Sequence, residues 1–224
     1  MARGELSRFF SALDLTRPEA VRDALLEVVP VLVREYGDLA SVAAAEWYEQ
    51  VHPGRYLAQT VDGVDAAAVE GSVRFHAGEL FKDNPVGTLE GLSGAVQRFV
   101  SYSGRQTVAR NVNLDPARPR YGRVPSGSET CAFCELMASR GFVYTSRESA
   151  AFLGSRFDDF HDLCNCQIVA EWDREAHHIE GYDPDAMYDR YLSARDASGS
   201  EDPTRILSKM REMYPDLYTD GHVH

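Results

Sequence analysis

The sequence predicts an α+β protein: an N-terminal helical bundle, a small cysteine-bearing module with short strands, and an acidic helical C-terminal appendage. Three observations predict it. From the N-terminus to about Asp115 the apolar pattern is helical. A stretch punctuated by Pro116, Pro119 and Pro125 then holds all four cysteines. The residues from Asp173 onward hold twelve acids against six bases, half of the −12 net charge of the 224-residue chain. We therefore place boundaries at 1–114, 115–172 and 173–224.

Within the first stretch, Thr16-Arg17-Pro18-Glu19 reads as a helix start, with Thr16 as cap and Glu19 closing a capping box. The series Val21, Leu25, Val28, Val29, Leu32, Val33, Tyr36 keeps helical phase, and Pro30 is expected to kink or divide it. Gly37-Asp38 restarts a helix that ends at His52-Pro53-Gly54. Further helices are expected over about 65–81 and 89–112, separated by Asp83-Asn84-Pro85. Trp47, Tyr48, Phe75, Phe81, Phe99 and Tyr102 read as bundle core; any that prove exposed would mark a docking surface.

The middle stretch predicts short strands at Tyr121–Val124, Gly141–Tyr144 and Cys166–Trp172. Helices are expected over Pro184–Arg195 and Pro203–Met213, too short and too polar to stand without a surface to dock on. No window approaches eighteen uncharged apolar residues, and the start lacks the charged-then-apolar design of a secretory signal. A cytosolic birth with no membrane partner is the expectation. An acidic surface argues against wrapping nucleic acid over the whole molecule. Only Lys82 and Lys209 are lysines among 23 basic residues, a bias that fits a genome rich in G and C.

The cysteines read Cys131-Ala132-Phe133-Cys134 and His161-Asp162-Leu163-Cys164-Asn165-Cys166: C-x2-C followed by H-x2-C-x-C. In a reducing compartment such clustering points to a metal before a disulfide. Zinc in a structural site takes four soft or borderline ligands in a tetrahedron. Five candidates compete for four places: Cys131 and Cys134, with two or three of His161, Cys164 and Cys166. A strand from Cys164 turns Cys164 and Cys166 to one face. Reduced core cysteines and disulfides are the alternatives. A module of about sixty residues falls in the size range where a structural zinc substitutes for missing core.

The runs Arg123-Val124-Pro125-Ser126-Gly127, Thr130-Cys131-Ala132-Phe133-Cys134, Ala138-Ser139-Arg140-Gly141-Phe142-Val143-Tyr144 and His161-Asp162-Leu163-Cys164-Asn165-Cys166 resemble the Mu F-like minor head proteins of tailed bacteriophages, in the versions carried by actinobacterial phages. The similarity covers about residues 95–172. It implies a minor capsid protein of head morphogenesis that binds the portal, with major capsid or scaffold protein and packaged double-stranded DNA as further contacts. It would be made in the host cytoplasm and end in the virion. It also implies that Cys131, Cys134, His161, Cys164 and Cys166 form a metal site. Related genes are often labelled capsid maturation proteases.

A protease would need a nucleophile with an oriented base. Ser126, with His161 or His76 as base, is the candidate, and no G-x-S-x-G elbow surrounds it. A metal-dependent hydrolase or nuclease would draw on Glu135 or the acids at 158–162, but a cysteine-rich shell weakens the ion as a Lewis acid. The reading is therefore non-enzymatic, with maturation protease or nuclease as the alternative. Finally, Arg98 to Arg123 carries six arginines against Asp115. Arg105, Arg110, Arg118 and Arg120 are the candidate surface for DNA phosphates or an acidic portal face; pairing with the acidic tail is the competing account.

Overall fold

The computed structural model describes residues 1–126, 130–144, 162, 164–176 and 179–220. It divides into two compact units. The first comprises Met1–Val51 and Leu57–Thr107 with Asp162; the second comprises His52–Tyr56 and the described residues from Val108 onward, apart from Asp162.

In the first unit, α1 (Ala2–Ser11) offers Leu6 and Phe10 to the core. Helix α2 runs unbroken over Pro18–Val51, so neither Pro30 nor Gly37-Asp38 divides it. A proline inside a helix costs about 3 kcal/mol. The neighbouring Val29, Leu32 and Val33 are all buried, each contributing about 1.5–3 kcal/mol. Burial on both sides of Pro30 therefore outweighs the missing hydrogen bond. Gly37 marks a close approach instead of a stop: a Cβ there would lie 2.9 Å from the Ser103 hydroxyl oxygen. Nor does Thr16 cap α2. Its backbone N–H and hydroxyl both donate to Asp14 Oδ1, at 3.1 and 2.6 Å, in the turn before the helix.

Helix α3 (Ala66–Ala77) is capped by Asp65, whose carboxylate accepts the Ala67 N–H, and continues into a 3-10 turn over Gly78–Lys82. Asp83 stops it with a left-handed φ of 56°, and Asn84 Oδ1 accepts the Gly87 N–H at 3.1 Å as α4 (Pro85–Leu114) begins. Leu25, Val29, Val73, Ala77, Leu92, Val96 and Phe99 share one core with α1. Tyr48 and Phe99 are buried as expected, whereas Phe75 and Phe81 are 78% and 50% exposed.

One packing test arises here. A Cβ at Gly91 would fall 2.2 Å from His76 Nδ1, so the ring must swing out. Gly91→Ala gains about 1 kcal/mol of helix propensity and loses about 1–3 kcal/mol to overpacking. We expect a lower thermal midpoint; an unchanged or raised midpoint would refute the tight contact.

In the second unit, β1 (Arg120–Pro125) and β2 (Cys166–Glu171) form an antiparallel ribbon pairing Tyr121 with Ala170, Arg123 with Ile168 and Pro125 with Cys166. Opposite residues share a face. One face therefore carries Tyr121, Arg123, Cys166, Ile168 and Ala170, all buried. The other carries Val124 and Val169, packed on Ala138, Phe142 and Tyr182. The expected strand at Gly141–Tyr144 reduces to a single bridge between Tyr121 and Tyr144. A two-stranded ribbon alone is marginal; apolar cover on both faces makes this one viable.

Helix α5 (Ala132–Ala138) follows Cys131. Asp183 and Asp202 cap α6 (Pro184–Ser198) and α7 (Pro203–Met213), accepting from Ala186 and Thr204. Gly199 ends α6 at φ 60°. Their apolar stripe joins α5 in one small core of Ala132, Ala194, Ile206, Met210 and Tyr218. The acidic stretch thus packs on the cysteine-bearing helix and belongs to the same unit. Among the described residues, no helix is long and apolar enough to cross a membrane.

Candidate metal centre

Cys131 occupies the turn that starts α5, in extended conformation, and its Sγ accepts the Cys134 N–H at 3.2 Å. The C-x2-C spacing turns both side chains inward through this one helical turn. Cys166 opens β2 on its buried face, and Cys164, two residues before the strand, is buried as well. The Sγ atoms of Cys134, Cys164 and Cys166 all lie within 4.8 Å of one another, and Cys134 Sγ is 3.3 Å from Cys164 Sγ. All four cysteines are buried free thiols.

These separations decide between chemistries. A disulfide needs about 2.05 Å between sulfurs. Tetrahedral zinc with Zn–S near 2.3 Å implies about 3.8 Å between ligand sulfurs, a value that the observed spacing brackets. Three close cysteines could thus hold a metal ion, with Cys131 one helical turn away as the fourth. Without an ion, Cys134 and Cys166 hold their protons. Hydrogen bonding to Cys131, then to Cys164 and Cys166, together with burial, pushes the Cys134 thiol far above the ordinary range. Cys166 is drawn down by Cys134, but Cys164 and burial outweigh this and push it up to about 12. A dipositive ion would replace those protons.

The surroundings fix the two segments. Ser126 donates from its hydroxyl to the Asn165 carbonyl, and its N–H donates there too at 3.3 Å. The serine weighed as a nucleophile therefore tethers the loop between Cys164 and Cys166. Thr130 Oγ1 lies 3.8 Å from Cys166 Sγ. Glu135, weighed as a hydrolytic base, points its Oε1 at Tyr218 (2.8 Å) and Arg190 (2.7 Å). Thr219 N–H donates to the Thr130 carbonyl at 2.9 Å, and Ala132 N–H donates to Asp220 Oδ1 at 3.0 Å. Residues 218–220 thus strap the C-x2-C turn. Sequence reading missed this strap, because Tyr218-Thr219-Asp220 has no periodicity to betray it.

His161 lies outside the described residues, as do Asp158 and Asp159. Asp162 belongs to the first unit, where its carboxylate meets Arg98 Nε at 2.6 Å and lies 4.0 Å from His76 Nε2. Burial holds the His76 imidazole below its usual range, against the pull of Asp162.

The candidate arginine surface is corrected at one position. Arg105 is 1% exposed; its place on α4 faces the interior, so it presents nothing to a partner. Arg110 and Arg118 are exposed, and Arg120 Nη2 donates to the Arg174 carbonyl at 2.5 Å.

The model of one family, the VG15 protein family, matches residues 1–194. The chain belongs to the VG15 family. Among its relatives, the Gene 15 protein of Mycobacterium phage D29 is 26% identical over 154 residues, covering 56% of this chain and 54% of that protein. The Gene 15 protein of Mycobacterium phage L5 is 30% identical over 112 residues, covering 45% and 35%. This VG15 chain therefore spans between about a third and a half of the curated relatives it matches. No solved structure matches it. The resemblance read from the sequence is thereby carried at the level of a bacteriophage protein family, and the Mu F-like assignment is not made by these matches.

Proposed function

We propose that this VG15 protein is a minor capsid protein of phage head morphogenesis, Mu F-like in its central segment, which binds the portal during procapsid assembly. It acts as a structural adaptor and ends in the virion. Its second unit is stapled by a zinc ion held by Cys131, Cys134, Cys164 and Cys166. The observation that carries the staple is the convergence of three buried thiols at ligand spacing, with the fourth in the same turn. The membership of the family and the mycobacteriophage relatives support the phage setting.

The same geometry supports a role without turnover. Ser126 and Glu135 are engaged in holding the cysteine segments, and a thiolate shell makes a poor Lewis acid. Exposed Phe75 and Phe81 supply apolar contacts for a protein partner. Arg110 and Arg118 supply charge for an acidic portal face or for packaged DNA.

Two measurements test the reading. Elemental analysis of tag-free protein is expected to find one zinc per chain; metal-free, fully folded protein would overturn the staple. Co-expression with the portal protein of the same phage is expected to give a complex that survives gel filtration. Specific cleavage of the major capsid precursor, lost on Ser126→Ala, would overturn the adaptor role in favour of a maturation protease.

A further inference from the structure

The ribbon register puts a permanent charge beside the sulfurs. Arg123 faces Ile168 and Pro125 faces Cys166, so Arg123 and Cys166 are neighbours on one buried face. Arg123 is 2% exposed. Its guanidinium carbon lies 5.7 Å from the centroid of the Phe133 ring, and Phe133 is the residue directly before Cys134. The side chain is thus held between the two cysteine-bearing segments. Arginine does not shed its proton in proteins, so the interior at this point accommodates a fixed positive charge. Four thiolates around one dipositive ion carry two net negative charges, and a delocalised, weakly hydrated guanidinium suits a buried site beside them.

We propose that Arg123 is the countercharge of the thiolate–metal centre, stabilising the loaded state while stacking on Phe133 to position the C-x2-C turn. This rests on the metal reading above. It assigns Arg123 a role apart from the exposed arginines: it faces an internal anion. The attraction acts only when the sulfurs are ionised, so it favours the loaded over the empty state.

The test uses the full chain as wild type, Arg123→Met and Arg123→Lys, loaded with zinc and titrated with a chelator of known affinity. Residues that support metal ligands from outside typically set affinity by about 10- to 100-fold, so Arg123→Met is expected to release zinc that much more readily, with Arg123→Lys between it and wild type. In the cobalt form, the thiolate-to-metal charge-transfer band is expected to shift in Arg123→Met and to stay near wild type in Arg123→Lys. A purely structural arginine would not move that band. Zinc retention and band position equal to wild type in Arg123→Met would overturn the proposal. Should Arg123→Met fail to fold, Phe133→Leu decides: weakened zinc retention supports the stacked countercharge, and unchanged retention overturns it. Wild-type protein that holds no zinc would instead overturn the metal reading itself, so the two failures are distinct.

Discussion

Cys134→Ser is expected to abolish stoichiometric zinc and to leave the second unit without cooperative tertiary structure. Serine preserves the volume at position 134 but offers a hard, protonated oxygen where the site needs a thiolate. Structural zinc contributes apparent binding free energies of about 10–16 kcal/mol in zinc-finger peptides, while whole domains are stable by only about 5–15 kcal/mol. Losing a thiol 3.3 Å from the Cys164 sulfur would therefore remove more than the small core of Ala132, Ala194, Ile206, Met210 and Tyr218 can replace. Chelation of the wild type should reproduce the mutant. Limited proteolysis with mass mapping provides the check: new cleavage is expected within residues 108–220. Wild-type resistance to protease in both chelated protein and mutant would show that apolar packing alone holds this unit.

The second large effect concerns Glu135. Its carboxylate, 5% exposed, accepts from Arg190 and Tyr218 through a single oxygen. Burial and this acid together keep the Tyr218 phenol protonated far above the ordinary tyrosine range, so it remains a donor. Removing one partner of a buried pair leaves an uncompensated charge and costs about 3–5 kcal/mol. Glu135→Ala is expected to lose that much, while Glu135→Gln, which keeps an acceptor oxygen, should lose about 1.5–3 kcal/mol, the worth of hydrogen bonds to a charged group. Urea unfolding followed by tyrosine fluorescence measures both. Equal losses for the two variants would show that the charge itself is irrelevant.

Periodicity made the helical half legible. The apolar series from Val21 to Tyr36 named the buried face of α2, because a 3.6-residue repeat is written in the side chains themselves. It misjudged Pro30 and Gly37, whose local preferences yield to burial and to the close approach of Ser103. The cysteine spacing likewise named two segments whose Cys134, Cys164 and Cys166 lie close together, since C-x2-C and C-x-C each impose local geometry. What no spacing encodes is tertiary company. Arg105 looked like a surface charge because a helix face cannot be assigned from one charged residue. Glu135 entered only as the base of the alternative hydrolase, because its partners, Arg190 and Tyr218, lie 55 and 83 residues downstream.

That distance bears on biogenesis. Eighty-eight positions separate Ala132 from Asp220, which closes over it. Chains emerge from the ribosome from the N-terminus at about 5–20 residues per second, so the sulfur-bearing turn is exposed for several seconds before its clasp exists. On the zinc reading proposed above, an ion would meet this turn before its clasp closes, so capture would depend on timing during translation as much as on affinity in the finished molecule.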